Sequence, residues 1–240
     1  MCSVLLLHQS LPDAALAVLF VRDEDLDRGG LPPAPRADAA GVLAPLDPRA
    51  GGTWFGVSAR GFAAGLVNRR GDPLPLDARS RGQLLLAALQ QPSATAALDF
   101  AAAESATRPY GGCRMFAGDG AGLAWMDLPP GGPRAPRRPL TPGAWLLRHT
   151  RAPVAAPAPF PPRAGERREA WLVRALALLA AHEPAAAPLC HHGAGHGSVD
   201  VSFAALDGSG RPFVFRHGGG APCRATLADH SAALAPPPAS

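Results

Sequence analysis

The chain has 240 residues, of which 47% are apolar, so it is long enough to bury a large core. All 23 basic residues are arginine, a bias typical of a GC-rich genome, so the net charge of +4 argues only weakly for a nucleic-acid partner. The four cysteines form no CxxC pair, and neither a secretory signal nor a membrane-length apolar stretch is visible. We therefore predict a soluble cytoplasmic protein with no membrane span and no nucleic-acid partner.

The first half of the chain predicts strands followed by helices. Short apolar runs predict strands at 2–8, 15–22, 53–58 and 61–68. The segment 23–40 is charged and rich in glycine and proline, so it is predicted to be a loop. Ser80 is a candidate N-cap for a helix over 81–90, and Ser93 or Thr95 can begin a second helix.

The second half returns to strands around one long helix. The pattern predicts strands at 113–117, 121–127, 143–149, 199–206 and 211–216, and a helix over 164–182. The proline-rich segments 128–142 and 152–162 are predicted to be connections. Runs of strands separated by runs of helices indicate an α+β fold. We predict a single domain over 1–234 and a disordered tail over 235–240.

Cys2 lies directly before the apolar run of the first strand. Removal of Met1 would leave a thiol and an α-amino group on the same residue. The thiol can act as a nucleophile, and the amine, with a pKa of about 8, can accept its proton. The alternative is that Cys2 is an ordinary second residue on a frayed terminus.

Three motifs occur together in this chain: an initial Met-Cys, the segment Val21-Arg22-Asp23-Glu24, and the run GGTWFGV over 51–57. As a set they resemble the NRDE family, also called the transport and Golgi organisation family, whose Asn-Arg-Asp-Glu motif is matched here with Val21 first. That family is similar in pattern to the N-terminal nucleophile hydrolases of the choloylglycine hydrolase and acid ceramidase group. The resemblance implies a four-layer αββα sandwich and, for the hydrolases, cleavage of a non-peptide amide.

The resemblance also implies roles for four residues. In the hydrolases the N-terminal cysteine attacks the carbonyl, an Arg and an Asp orient it, and a strand-end Asn helps to bind the oxyanion. The matching positions are Cys2, Arg22, Asp23 and Asn68. Positive charge on Arg22 would lower the thiol pKa, although Arg22 can instead form a surface ion pair with Asp23 or Glu24. Asn68 is the only asparagine in the chain, and its alternative role is that of a turn residue.

The sequence departs from the family pattern at three positions. Val21 replaces the first Asn of the name motif, His149 stands where a second Asn is expected, and Val199 stands where a late Arg is expected. Two functions stay open. The chain is either a Cys2-dependent amidohydrolase, with His149 in a polar role, or a non-catalytic binding or trafficking protein for haem or lipid-like ligands. In both cases we expect a small-molecule or lipid-like ligand and no cofactor, with haem only as a ligand.

The segment 190–196 carries the densest cluster of soft ligands: Cys190, His191, His192 and His196. Metal binding requires such groups to converge on one ion. The segment is rich in glycine and has no acidic residue close by, so we interpret it as a solvated loop without a metal. A metal or haem site is the alternative.

Overall fold

The computed structural model describes residues 2–69, 71–72, 74–130, 136–182, 189–209 and 211–233. Within these ranges the helices are α1 Arg81–Leu89, α2 Ala94–Thr107 and α3 Arg168–Ala181. The strands are β1 Ser3–Leu11, β2 Ala14–Asp25, β3 Leu31–Arg36, β4 Ala39–Leu46, β5 Phe55–Ser58, β6 Phe62–Asn68, β7 Cys113–Gly118, β8 Leu123–Leu128, β9 Arg138–Leu140, β10 Gly143–Arg148, β11 Arg151–Ala155, β12 His196–Leu206, β13 Pro212–Gly219 and β14 Ala228–Asp229.

The strands form two seven-stranded sheets whose paired neighbours run antiparallel. The first sheet has the order β11-β10-β1-β2-β12-β13-β14, and the second has the order β3-β4-β5-β6-β7-β8-β9. The first sheet therefore combines strands from both ends of the chain, with β1 and β2 next to β12. This pairing brings residues near position 2 close to residues near position 200.

Helices cover the outer face of each sheet. Helix α3 packs on the first sheet, where the Trp171 and Phe203 rings lie 6.3 Å apart, and α1 and α2 pack on the second sheet through Leu85 and Ala97. The inner faces of the sheets meet around Phe55, whose ring lies 5.7 Å from that of Phe20. The order of layers is helix, sheet, sheet, helix, as the αββα prediction requires.

The central position of β1 explains its uninterrupted apolar run. Leu5 and Leu7 belong to the core shared with α3, whereas Val4 and Leu6 belong to the core between the sheets. Successive side chains of a strand point to opposite faces, and both faces of β1 are covered. Each position from 4 to 7 must therefore be apolar, and no polar alternation appears.

The predicted helix starts are confirmed for α1 and α2. The Ser80 and Ser93 hydroxyls accept hydrogen bonds from the third residue beyond each, as N-caps do. Helix α3 is shorter than the predicted 164–182, because it begins at Arg168. Its cap comes from the turn between β1 and β2, where the Asp13 carboxylate accepts the Arg168 backbone N–H at 2.9 Å.

The prediction of a loop over 23–40 is wrong for most of its length. Strand β2 continues to Asp25, β3 spans Leu31–Arg36 and β4 begins at Ala39, so within this segment only 26–30 and 37–38 lie outside strands. Strand β3 contains Pro32, Pro33 and Pro35, which would interrupt a central strand because proline cannot donate a backbone hydrogen bond. These prolines are tolerated because β3 is the outermost strand of the second sheet, so on one side no strand among the described residues needs its N–H groups.

The same reason explains two further corrections. The predicted connection over 128–142 contains β9, and the one over 152–162 contains most of β11. Pro139 lies in β9 and Pro153 in β11, and each strand is at the edge of its sheet. Edge prolines also limit pairing with strands of other molecules.

The described part of the chain contains no helix long and apolar enough to cross a membrane. The predicted tail over 235–240 lies outside the described residues. The single domain over 1–234, the cytoplasmic location and the lack of a nucleic-acid partner stay predictions.

Candidate active site

The strand register sets the neighbours of Cys2. Strand β1 lies between β10 and β2, and Ser3 is opposite Arg148 on one side and Val21 on the other. One step further along this register, Cys2 comes level with His149 and Arg22. One more strand across, Arg22 is opposite Asp200 of β12. The ends of β1, β10, β2 and β12 thus lie together at the same end of the first sheet.

A cavity of about 410 Å³ opens beside Cys2. Asp23, Asn68 and His149 share its wall with Cys2. The other described residues in the wall are Glu24, Arg69, His191 and His196. Each of these side chains is polar, so the cavity offers many hydrogen-bonding and charged groups.

A second cavity, of about 330 Å³, adjoins the first. Cys2, Glu24 and Asn68 line both, and Arg22 lines the second. The four residues singled out in the sequence, Cys2, Arg22, Asp23 and Asn68, therefore surround two adjacent cavities, although they come from three separate strand ends.

The thiol of Cys2 is not activated in this structure. Its Sγ lies 3.9 Å from the Asp23 backbone oxygen, toward which it can donate a weak hydrogen bond. Burial raises the thiol pKa to about 11, and the nearby charge of Arg22 opposes this rise without overcoming it. Arg22 therefore acts on the thiol pKa in the expected direction, but burial outweighs its effect.

Arg22 is committed to a buried ion pair. Its side chain is about 4% exposed, and Nη1 lies 2.9 Å from Oδ2 of Asp200. The guanidinium also stacks on Trp54, 4.1 Å from the ring centroid. The alternative of a surface ion pair with Asp23 or Glu24 is correct only for the partner Glu24: Nη2 is 3.9 Å from Glu24 Oε2, but Asp200 is closer and the guanidinium is buried rather than on the surface.

Asp200, the buried partner of Arg22, did not stand out in the sequence. It is 1% exposed, and burial raises its pKa to about 6 despite the charge of Arg22. His217 Nε2 lies 3.6 Å from Asp200 Oδ1, and burial lowers the pKa of His217 to about 4, assisted by the charges of His230 and Arg22. The available signal was a lone aspartate inside the apolar strand predicted over 199–206.

Asp23 is tied to the histidine-rich segment. The Ser198 hydroxyl donates to Asp23 Oδ1 at 2.5 Å and accepts the His191 backbone N–H at 2.9 Å. Burial raises the pKa of Asp23, and the Ser198 hydrogen bond opposes that rise. The position of this carboxyl group therefore depends on the segment that follows Cys190.

Two of the family departures leave nonpolar positions. Val21 packs in the core beneath α3, and Val199 is 8% exposed. Neither supplies a hydrogen-bonding side chain. His149, by contrast, is 6% exposed and faces the first cavity, so a polar group does stand at the third position.

The histidine-rich segment is not simply a solvated loop. His191 and His196 line the first cavity, and Cys190 is only 6% exposed. The ligand atoms of Cys190 and His192 lie close to those of His182 and Cys223, two residues distant in sequence. The interpretation as a solvated loop is therefore wrong for Cys190.

Comparison with known proteins agrees with this geometry. Residues 1–129, just over half of the chain, match the family model described as Transport and Golgi organisation 2. The chain belongs to this family. No curated protein matches it by sequence.

Among solved structures, this member of the transport and Golgi organisation family is similar to the C2A mutant of the conjugated bile acid hydrolase from Clostridium perfringens. The TM-score is 0.51 at 10% identity, over 96% of this chain and 92% of that one. An N-acylethanolamine-hydrolyzing acid amidase ortholog from Caenorhabditis elegans gives 0.49 at 11% identity, over 85% and 92%. The likeness to the bile acid hydrolase confirms the predicted fold.

Proposed function

We propose that this chain hydrolyses a non-peptide amide with Cys2 as its nucleophile. The observation that carries the proposal is the meeting of Cys2, Asp23, Asn68 and His149 around one cavity. A reactive thiol needs a proton acceptor and donors for developing negative charge, and this wall holds candidates for both. The fold shared with a bile acid hydrolase solved as its C2A mutant supports the same conclusion.

The proton of the thiol is the first chemical requirement. Because burial holds the thiol pKa at about 11, little thiolate exists at neutral pH. Removal of Met1 would place an α-amine, with an ordinary pKa of about 8, on the same residue as the thiol. The amine takes the thiol proton as the sulfur attacks the carbonyl carbon and a C–S bond forms.

The rest of the cycle conserves atoms and protons. When the C–N bond breaks, the amine of Cys2 passes the proton to the leaving nitrogen, and a thioester to Cys2 remains. Water then attacks the thioester, which releases the carboxylic acid and restores the thiol. Asp23, held by Ser198, is near enough to Cys2 to orient its thiol and amine.

The oxyanion of the tetrahedral intermediate needs hydrogen-bond donors. The Asn68 side-chain amide, at the end of β6, is the first candidate. The His149 imidazole is the second, in the role that the missing asparagine would fill, because histidine N–H groups also serve as oxyanion donors. Both lie in the wall of the cavity that Cys2 lines.

The cavity wall combines polar groups with a larger share of apolar surface. The polar groups include the carboxylates of Asp23 and Glu24 and the side-chain amide of Asn68. Such a wall can hydrogen-bond the amide group of a substrate while apolar surface contacts its acyl part. We therefore propose a small acyl-amide as the substrate.

One observation favours a second function, haem binding. His149, His191 and His196 share one cavity wall, and imidazole is a common axial ligand of haem iron. Titration of the purified chain with haem, followed by its absorption spectrum, tests this alternative. A haem spectrum typical of histidine ligation in wild type that is lost in the His191→Ala and His196→Ala variants would support it. A haem spectrum that does not change when the wild-type chain is added would exclude it.

The hydrolase is tested with a panel of small acyl-amides and two matched variants. Cys2→Ala should abolish turnover, whereas Ser3→Ala, a change one residue along on the opposite face of β1, should preserve it. Mass analysis of wild type during turnover should show the added acyl group on the intact chain and, after digestion, on the N-terminal peptide. Turnover by Cys2→Ala, or retention of Met1 by the active protein, would refute the mechanism.

A further inference from the structure

Four metal-ligating side chains converge outside the candidate active site. They come from three parts of the chain: His182 at the end of α3, Cys190 and His192 before β12, and Cys223 in the turn after β13. One ligand atom from each lies within 4.8 Å of the others.

The distances match a single tetrahedral ion. The His192 Nε2 atom lies 3.5 Å from Cys190 Sγ and 3.3 Å from Cys223 Sγ. With Zn–S bonds of about 2.3 Å and Zn–N bonds of about 2.0 Å, tetrahedral geometry separates sulfur and nitrogen ligands by roughly 3.5 Å. The His182 and His192 rings lie side by side, with their centroids 5.0 Å apart.

The ligand types select the metal. Two thiolates and two imidazoles form a soft set that prefers Zn²⁺ to the hard ions Mg²⁺ and Ca²⁺. Both thiols release their protons to solvent when the ion binds, and the two thiolate charges then balance the charge of the ion. Four protein ligands close the coordination shell, which is the pattern of structural rather than catalytic zinc.

The backbone at His182 supplies a separate observation. This residue ends α3 in the left-handed conformation, with φ of 55°, a region that residues with a Cβ rarely adopt and that glycine usually occupies at helix ends. A histidine at this position therefore suggests that its side chain is needed there.

We propose that His182, Cys190, His192 and Cys223 form a structural zinc site that fastens the segment after Cys190 to the end of α3 and to the turn after β13. The far side of the same segment carries His191 and His196 into the first cavity wall. Zinc bound here therefore fixes one wall of the candidate active site without entering it.

The site is tested by metal analysis of the full chain, purified without a histidine tag and dialysed against zinc-free buffer. We expect one zinc ion per chain in wild type. The variants His192→Gln and Cys223→Ser, whose side chains are at least partly exposed, should lose the ion and still fold. The controls His191→Gln and His196→Gln, from the same segment, should retain it.

Cobalt substitution gives a second readout that does not depend on activity. Co²⁺ added to the metal-free chain should produce the visible absorption of a tetrahedral thiolate site, and His192→Gln should weaken it. A disulfide between Cys190 and Cys223, seen as a mass lower by two hydrogens, would overturn the proposal. Zinc content equal in wild type and His192→Gln, or absent from wild type with both thiols free, would overturn it as well.

Discussion

The pH dependence of stability reports on the buried cluster behind Cys2. His217 is 4% exposed, its Nδ1 atom lies 3.0 Å from the Ser202 hydroxyl, and its Nε2 atom lies 3.6 Å from Asp200. Burial, with the charges of His230 and Arg22, lowers its pKa to about 4. The substitution His217→Gln removes this titration but keeps a side chain that can form hydrogen bonds.

The sign follows from the two states of His217. Between its unfolded pKa of 6.5 and its folded pKa of about 4, the unfolded chain binds a proton that the folded chain does not. Its contribution to stability is therefore present above pH 6.5 and is lost as the pH falls. From pH 7 to pH 5 the loss is about 2 kcal/mol, since one pKa unit corresponds to about 1.4 kcal/mol.

Asp200 titrates in the opposite sense. Its pKa is raised from 3.8 to about 6, so its contribution to stability is present below 3.8 and is lost as the pH rises through 6. Acidification from pH 7 to pH 5 therefore raises the contribution of Asp200 to the unfolding free energy by about 1 kcal/mol. In wild type the effects of His217 and Asp200 on the pH dependence of stability largely cancel. Removing either group should therefore reveal the pH dependence that the other causes.

Urea unfolding at pH 7 and pH 5, followed by tryptophan fluorescence, measures both effects. Relative to wild type, His217→Gln should gain about 2 kcal/mol of unfolding free energy on acidification. Asp200→Asn should lose about 1 kcal/mol over the same interval. A difference between His217→Gln and wild type that is equal at both pH values would refute the reasoning.

Three further changes test other parts of the structure. Asp13→Asn weakens the cap on the Arg168 amide and should lower the unfolding free energy by about 1 kcal/mol; an unchanged urea midpoint would contradict the capping role. Arg22→Met leaves Asp200 without its buried partner and should cost about 3 kcal/mol, seen as a lower Tm; an unshifted Tm would show that the pair does not stabilise the fold. With a thiol pKa of about 11, Cys2 in the chain that retains Met1 should react with iodoacetamide about tenfold faster per pH unit between about pH 8 and 10. A rate that levels off near pH 9 would contradict that pKa.

The central elements of the fold could be predicted because local pattern and burial agree there. Strands β1 and β2 have apolar side chains on both faces, and Ser80 and Ser93 cap α1 and α2. The edge strands β3, β9 and β11 could not be predicted, because each contains proline. A sequence shows that proline weakens a strand, but it does not show whether that strand lies at an edge.

The site was predictable only in part for a similar reason. Cys2 stood out through its own chemistry, and Arg22, Asp23 and Asn68 through a family resemblance, which marks positions but not their partners. Asp200 and the cluster around Cys190 depend on contacts between distant segments, such as the pairing of β2 with β12. Those contacts exist only after the first sheet has assembled from both ends of the chain.

The pairing of Arg22 with Asp200 bears on how the proposed nucleophile loses its proton. An unpaired guanidinium beside Cys2 would stabilise a thiolate. Here the Asp200 carboxyl group lies 2.9 Å from Arg22, and burial is the dominant influence on the thiol pKa. In the proposed mechanism the thiol would then lose its proton during attack rather than before it. The α-amine that Met1 removal would expose is attached to the same residue, so the proposed chemistry depends on processing at the N-terminus more than on the charge of Arg22.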